Sequence, residues 1–303
     1  MLVLLSLACS SEAPADSGAP AEPTPYLVDE EAPPAPALDA ATLEGAIAEA
    51  LAQAWTLRAD PILLGYEAAM AHAEPGCPDY YSNDGNVYWY DQCTTSDGTR
   101  FDGYGFAQIY EGYDAGDGNL YDGFGLYGVA RVTTPEGHRF VSGGSAYSLR
   151  TANADTTTWQ SVIQGTFSWD GAEASDSWKV GDLTPDLTLV AVGANANALG
   201  RAVAIQGSVG GLEGPVNAVL FDGFLIYTAA WGSACAIEPG GGVSLRGEDG
   251  GWYDVLFDGP AEWGGSADAA ACDGCGDAWF RGEPIGTVCM DATTLLRWED
   301  SPW

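Results

Sequence analysis

The sequence predicts a mainly β protein, built as an antiparallel sheet of consecutive hairpins with a pair of helices packed on it near the N-terminus. Glycine and aromatic residues are abundant, at 41 residues and 11% of a 303-residue chain, which is typical of many turns and strands. From Val87 onward, apolar, β-branched and aromatic segments alternate with clusters of Asn, Asp, Gly and Pro. Strong helix signals occur only earlier. We therefore expect helices over about 39–72, and over about 86–300 a β body that could curve towards a barrel.

Two helices are predicted before the strands. Residues 39–57 place apolar side chains at i, i+4 spacing, flanked by alanines, which gives a helix one apolar stripe. The stripe consists of Leu43, Ile47, Leu51 and Trp55. Asp39 occupies the N-cap position, where a carboxylate accepts hydrogen bonds from free backbone N–H groups. The pair Asp60-Pro61 predicts the start of a second helix, which we expect to end at about His72.

A nine-residue pattern recurs three times in the predicted β body. It reads DGTRFDGYG at 97–105, DGNLYDGFG at 117–125 and EGHRFVSGG at 136–144, at offsets of 20 and 19 residues. This period fits one hairpin per copy or, as an alternative, one rung of a β-solenoid. We favour hairpins, because Asp-Gly supplies the positive φ that tight turns need. The pattern is vaguely similar to MORN repeats, which also pair glycine with aromatic residues in consecutive hairpins.

The aromatic residue of each copy falls at an equivalent position. These residues are Phe101, Tyr121 and Phe140. Cross-strand aromatic pairs stabilise a sheet, so we expect the three side chains to stack as a ladder on one face.

The charge balance restricts the partners. Forty-three acidic residues against ten basic ones give a net charge of −33. Such a chain repels the phosphates of nucleic acids and anionic lipids, so we expect neither as a partner. The same charge favours solubility and loose cation binding. It fits a salty exterior, where screening shortens the range of the repulsion.

The first residues, MLVLLSLACS, resemble the end of a bacterial lipoprotein signal peptide. Residues 5–8 (LSLA) match a relaxed lipobox directly before Cys9. The resemblance implies a signal peptide at 1–8, lipidation of Cys9 and a membrane partner through that lipid. Ser10, where many such proteins carry an aspartate, implies an outer-membrane or surface-exposed protein. A buried N-terminal strand with a core cysteine is the alternative.

The next segment has the composition of a tether. Residues 10–37 contain seven prolines and no basic residue. A segment of this kind buries too little apolar surface to fold and stays extended. We therefore predict a lipidated cysteine with a disordered acidic linker at 9–37, followed by one disulfide-stapled domain at 38–303.

Six further cysteines predict three disulfides, because an exported chain with an even number of cysteines usually oxidises them. They are Cys77, Cys93, Cys235, Cys272, Cys275 and Cys289. Cys77–Cys93 is favoured because this pair is isolated in sequence. A hairpin centred near residues 282–283 would place Cys275 opposite Cys289, which leaves Cys235 for Cys272. Zinc bound by the C-x-x-C pair and the two outlying cysteines is the alternative.

The segment from residue 77 to residue 106 resembles part of uncharacterised lipoproteins of bacterial exteriors. The shared features are Cys77-Pro78, Tyr88-Trp89, Cys93-Thr94 and the glycine–aromatic run that follows. This resemblance covers about a tenth of the chain. It implies a location and no activity.

The same segment supplies candidate ligand-binding residues. They are Tyr81, Tyr88, Trp89, Tyr90 and Asp91. Rings with polar edges suit a sugar, and an aromatic core stapled by a disulfide is the alternative. In a half-buried strand, Tyr88 and Tyr90 would point one way and Trp89 the other.

A cluster of oxygen-bearing side chains is the candidate for weakly bound calcium. It consists of Asp114, Asp117, Asn119 and Asp122. An EF-hand loop needs an oxygen ligand where Gly116 stands, so that motif is excluded. Turn formation by these residues is the alternative. We expect no other cofactor.

We find no catalytic motif. The chain has two histidines, His72 and His138, which argues against a Ser/His/Asp site. We therefore predict a non-enzymatic cell-envelope lipoprotein that acts as a structural or binding module, with a glycan or an envelope protein as partner. The alternatives are a carbohydrate- or lipid-binding β protein and an extracellular hydrolase that uses paired carboxylates.

Overall fold

The computed structural model describes residues 35–57, 61–83, 86–170, 178–180, 183, 186–194, 201–227, 238–260, 272–291 and 295. Two helices come first among them, α1 (Ala40–Leu57) and α2 (Pro61–Met70). Fourteen strands follow within the same ranges: β1 (Asp79–Asn83), β2 (Asn86–Thr94), β3 (Arg100–Asp114), β4 (Leu120–Thr133), β5 (Arg139–Ala152), β6 (Thr156–Asp170), β7 (Trp178–Val180), β8 (Asp186–Ala194), β9 (Arg201–Gly210), β10 (Val216–Tyr227), β11 (Gly240–Gly247), β12 (Trp252–Asp258), β13 (Cys275–Phe280) and β14 (Glu283–Cys289).

The fourteen strands form one antiparallel sheet in which strands that are consecutive in the chain lie side by side. β7 and β8 share a single position, because both pair with β6 on one side and β9 on the other. The sheet is open, with β1 and β14 at its edges. The predicted meander of hairpins is confirmed. A β-solenoid is excluded, since solenoid rungs stack as parallel strands and the pairings between the described strands are antiparallel.

One face of the sheet packs against both helices. α1 buries its predicted stripe, with Leu43, Ile47 and Leu51 almost inaccessible to solvent, and contacts β9, β10, β11 and β14. α2 contacts β4, β5 and β6. A continuous apolar core extends from Trp89 in β2 to Val288 in β14. Because both helices lie on this face and the core side chains along it are buried, the sheet curves around them. We call this the inner face and the opposite one the outer face.

The start of α1 is as predicted. Asp39 Oδ1 accepts hydrogen bonds from the backbone N–H (2.9 Å) and the hydroxyl (2.7 Å) of Thr42, which satisfies a donor that the helix leaves free. α2 begins at Pro61 and ends two residues earlier than predicted. The side chain of Trp55 and residues 58–60 lie outside the described residues. Neither described helix has the length and apolar character needed to cross a membrane.

The acidic-glycine pairs of the repeated pattern lie in turns. The first joins β2 to β3, the second β3 to β4 and the third β4 to β5. The turns at 95–99 and 134–138 each span five residues and make the same two hydrogen bonds. The N–H of the first residue donates to the carbonyl of the fifth, and the N–H of the fourth donates to the carbonyl of the first. Residues 247–251, between β11 and β12, make the same two hydrogen bonds. Because each hairpin reverses the chain, successive turns lie at opposite ends of the sheet.

This alternation makes the predicted ladder of Phe101, Tyr121 and Phe140 wrong. Phe101 and Phe140 both oppose Val132 of β4 and are buried on the inner face. Tyr121 instead opposes Tyr113 near the turn at the other end of the sheet. Each copy of the pattern spans one turn and part of one strand. Alternate copies therefore lie at the same end of the sheet, whereas consecutive copies lie at opposite ends.

Glycines cross the middle of the sheet in one row. The paired residues from β3 to β6 are Gly105, Gly128, Gly144 and Gly165. Trp89 opposes Gly105 at the end of this row. A Cβ atom added to Gly105 would lie 2.6 Å from Trp89 Nε1, so the indole packs directly on the glycine backbone. Gly105 thus leaves room on the inner face for this large side chain. A Cβ atom at any of the other three glycines would instead meet the backbone of the adjacent strand.

Two of the predicted disulfides are present, Cys77–Cys93 and Cys275–Cys289. Cys275 lies directly opposite Cys289 across β13 and β14, and the turn occupies 281–282. Cys272 is also disulfide-bonded, whereas its predicted partner Cys235 lies outside the described residues. Disulfide-bonded cysteines offer no thiolate to a metal, so the zinc alternative is excluded. The predicted lipidation site Cys9, the predicted signal peptide and the predicted linker up to residue 34 also lie outside the described residues.

Candidate functional site

The outer face of the first four strands carries two cross-strand rows of aromatic side chains. The longer row consists of Tyr81, Tyr88, Phe106 and Tyr127, one each from β1 to β4. The shorter row consists of Tyr90 and Tyr104 from β2 and β3. We call these six side chains the tyrosine surface. They share one face because side chains two residues apart in a strand point the same way, while the residues between them point inward.

Ring stacking orders the longer row. The ring centroids of Tyr81 and Tyr88 are 4.8 Å apart, those of Tyr88 and Phe106 4.4 Å, and those of Phe106 and Tyr127 5.4 Å. The angles between ring planes are 10°, 25° and 24°. Because each ring face is largely turned towards its neighbour, the row presents ring edges and hydroxyl groups to solvent. Stacked pairs of this kind hold the side chains in fixed orientations.

The shorter row is the more exposed one. Tyr90 is 62% and Tyr104 55% exposed, although both residues lie in the interior of long strands. Val129 of β4 opposes Tyr104 and extends the same row. Adjacent exposed apolar side chains beside polar ones are typical of an interaction site.

The structure divides the predicted ligand-binding residues between the two faces. Tyr81, Tyr88 and Tyr90 belong to the tyrosine surface. Trp89 is 2% exposed and packs edge-to-face against Phe101, with centroids 5.9 Å apart. The predicted alternation is thus present, and Trp89 is part of the core and not of the exposed site. The side chain of Asp91 lies outside the described residues.

Sequence reasoning missed half of the tyrosine surface. Tyr104, Phe106 and Tyr127 come from the two strands that follow β2, and only the register brings them beside Tyr88. From residue 102 to residue 108, polar or aromatic residues alternate with glycine or alanine. This alternation was the available signal, since the larger residues mark the outer face of β3.

The tyrosine hydroxyls near this surface remain hydrogen-bond donors at neutral pH. Burial raises the pKa of Tyr147, next to the longer row, with a smaller contribution from Tyr127. Burial likewise raises the pKa of Tyr110, whose hydroxyl donates to Gln108 Oε1 at 2.8 Å. The hydroxyl groups of Tyr110 and Tyr147 therefore supply neutral polar groups beside the tyrosine surface.

The calcium candidates do not form a common site. Asp114 Oδ1 accepts the N–H of Gly116 at 2.7 Å, and Asp117 Oδ1 accepts that of Asn119 at 3.0 Å. Asp122 Oδ1 accepts the N–H of Gly112 at 2.7 Å. Each carboxylate thus stabilises a turn or bulge. Among the residues that the structure describes, no group of three or more His, Cys, Asp or Glu could hold a metal.

Two buried acids bear on the hydrolase alternative. Glu238 is 1% exposed, and its Oε2 accepts the N–H of Gly274 at 3.0 Å. Burial is the main cause that raises the pKa of Glu238, and nearby Asp258 adds to it. Asp254 Oδ1 accepts the hydroxyl of Ser244 at 2.6 Å. Glu238 lies just before β11 and Asp254 lies in β12. Both acids are therefore remote in the sheet order from the tyrosine surface on β1–β4.

The histidine that follows α2 has a structural contact. His72 Nδ1 lies 2.8 Å from Asp97 Oδ2, which joins the end of α2 to the turn between β2 and β3. This hydrogen bond is the main cause that holds the pKa of Asp97 well below its usual range. The neighbouring Ser96 donates its hydroxyl to Glu74 Oε2 at 2.6 Å. The serine is therefore engaged with a glutamate and not with the His–Asp pair.

No protein-family model matches the chain, and no curated protein or solved structure matches it either. Its function is therefore inferred from the geometry of the described residues.

Proposed function

We propose that this protein is a non-enzymatic binding module of the bacterial cell exterior and that its tyrosine surface binds a glycan. The observation that carries the proposal is the placement of six aromatic side chains on the solvent-facing side of four consecutive strands. Single exposed apolar residues are common on protein surfaces, whereas contiguous ones mark interaction sites.

Two observations support the location. The disulfides Cys77–Cys93 and Cys275–Cys289 indicate an oxidising environment, such as the cell envelope or the medium. The net charge of −33 suits a soluble domain in a salty exterior. Lipidation at Cys9, with residues 9–37 as the tether to the outer membrane, completes the proposal.

The chemistry of the surface favours a sugar over an extended apolar ligand. The exposed rings of Tyr90 and Tyr104 offer apolar area to the C–H face of a pyranose, and the ring edges and hydroxyl groups of the longer row can contact its ring substituents. The rings are held by strands and stacking, so binding requires little further ordering of side chains. An acyl chain would instead need a deep apolar cavity, and the tyrosine surface is a broad sheet face.

The test is a glycan-binding measurement on the full chain with matched tyrosine variants. Wild type, Tyr90→Ala, Tyr104→Ala and Tyr113→Ala are compared on a glycan array and by affinity electrophoresis in soluble polysaccharides. Tyr113 is the control, because it is 54% exposed like Tyr104 but lies beside the β3–β4 turn. We expect Tyr90→Ala and Tyr104→Ala to bind roughly tenfold more weakly than wild type. The control Tyr113→Ala should bind as wild type does.

Two results would contradict the proposal. One is the absence of glycan binding by wild type across the array. The other is an equal loss of affinity in Tyr104→Ala and Tyr113→Ala at unchanged melting temperatures, because the loss would then not depend on this part of the sheet.

A further inference from the structure

Three arginines lie together on the outer face, at one end of the strands that carry the tyrosine surface. Arg100 of β3, Arg131 of β4 and Arg139 of β5 line a surface depression of about 330 Å³ with Asp102 and Thr133. We call these three arginines the arginine cluster. The chain has ten basic residues against 43 acidic ones, so three of the ten converge on one depression where a single carboxylate accompanies them.

The register explains why the side chains converge. Thr133 of β4 lies directly between Arg100 and Arg139, and Asp102 lies directly opposite Arg131. All five therefore point to the outer face from two adjacent rows. Like charges so close together in a sheet repel one another and destabilise it, and an anion bound between them would remove that cost.

The one carboxylate in the depression is shared. Asp102 Oδ2 lies 3.8 Å from Arg100 Nη2, and its Oδ1 accepts a hydrogen bond from Gln92 Nε2 at 2.8 Å. Among the described residues, neither Arg131 nor Arg139 has a carboxylate oxygen within 4 Å of its guanidinium. Both guanidinium groups can therefore offer their planar set of donors to a carboxylate, sulfate or phosphate.

The arginine cluster is continuous with the tyrosine surface. Tyr104 follows Asp102 by two residues on the outer face of β3, and Val129 precedes Arg131 by two residues on β4. Two residues of strand span about 7 Å, which is the scale of one sugar ring. A sugar over Tyr104 would thus place a charged substituent within reach of Arg131.

The strongly negative chain does not prevent such binding. Charges beyond about 8 Å are screened at physiological ionic strength, so a bound anionic group experiences mainly the charges that line the depression. Those are three positive side chains, the carboxylate of Asp102, and the carboxylate of Asp170, which lies directly opposite Arg139 on β6. The balance of these charges is still positive.

From this geometry we infer that the arginine cluster binds the anionic group of an acidic glycan, which deepens the proposed function and rests on it. The chemical class is a polysaccharide that bears carboxylates or sulfates. Its sugar rings lie on the tyrosine surface and its charged substituents lie between Arg131 and Arg139.

The experiment measures binding of the full chain to polygalacturonate, dextran sulfate and uncharged dextran by isothermal titration calorimetry. The double variant Arg131→Gln/Arg139→Gln is compared with Arg150→Gln, an exposed arginine of β5 at the opposite end of the sheet, 3.9 Å from Asp122. We expect wild type to bind at least one polyanion more tightly than dextran. The double variant should lose roughly tenfold or more of that affinity, while Arg150→Gln stays within about twofold of wild type. The polyanion that binds identifies the anionic group.

The outcomes separate this inference from the proposed function. It is overturned if wild type binds neither polyanion, or if the double variant binds as wild type does. If Tyr104→Ala still weakens polysaccharide binding in the second case, the tyrosine surface stands without the arginine cluster. If the arginine variant loses affinity and Tyr104→Ala does not, the anion site stands and the glycan-binding role of the tyrosine surface falls. Equal melting temperatures of all variants establish that each is folded.

Discussion

Replacing Gly165 by alanine tests how much the close approach of β6 to β5 at the glycine row contributes to stability. Gly165 of β6 has φ +103°, a conformation that side chains other than glycine rarely adopt. A Cβ atom there would lie 2.1 Å from the carbonyl oxygen of Gly143 and 3.1 Å from Cα of Gly144. Both atoms belong to the backbone of β5, so no side chain can rotate away to make room.

The expected loss of stability follows from two separate costs. The backbone conformation costs about 1–3 kcal/mol in a residue with a Cβ. Relief of the contact with β5 costs about 1–3 kcal/mol more, because it displaces the adjacent strand. The lower entropy of the unfolded alanine chain offsets only about 0.4–1 kcal/mol. We therefore expect Gly165→Ala to reduce the free energy of unfolding by about 3 kcal/mol and Tm by about 6–12 °C.

Gly112→Ala is the matched control. Gly112 has φ +57°, and a Cβ atom there would have no atom within 4 Å, so the change carries only the backbone cost of about 1–2 kcal/mol. Both variants are measured by urea unfolding, followed by circular dichroism and tryptophan fluorescence. Equal losses in the two variants would refute the reasoning, since the contact with β5 would then contribute nothing.

Three further predictions concern stability. Gly45→Ala, at an exposed position of helix α1 where a Cβ atom meets nothing within 4 Å, should raise the free energy of unfolding by about 0.5–1 kcal/mol; a lower Tm in a thermal scan would contradict this. Removal of the Cys275–Cys289 disulfide by double serine substitution should cost about 3 kcal/mol, because the bond closes a loop of 14 residues; urea midpoints that match wild type would show otherwise. Asp97→Asn should be destabilising at pH 7 and progressively less so as the pH falls below about 4. The lowered pKa of Asp97, held down chiefly by His72, stabilises the fold only while the carboxylate is ionised. Tm recorded from pH 7 to pH 2 tests it, and a constant gap between variant and wild type would count against the His72 contact.

Local sequence patterns were sufficient to predict part of the candidate site. Period-2 alternation in β2 places Tyr88 and Tyr90 opposite to Trp89, and that depends only on backbone geometry within one strand. The partners of Tyr88 depend on register instead. Phe106 lies 18 positions further along the chain, and a shift of one residue in the β2–β3 pairing would turn its ring to the inner face.

By itself, the sequence determined the elements and their order: two helices with an apolar stripe and a cap at Asp39, and strands joined by acidic-glycine turns. It also determined the meander, because short connections between strands allow only antiparallel neighbours. These features depend on residues close together in the chain. Only the tertiary structure decided which ends of the hairpins coincide, how the sheet curves around the helices, and that Arg131 and Arg139 share a depression beside Tyr104. The physical reason is that cross-strand neighbours depend on the register of every hairpin between them, including irregularities such as the shift after Tyr110. The residues of a short segment cannot predict the register of several hairpins.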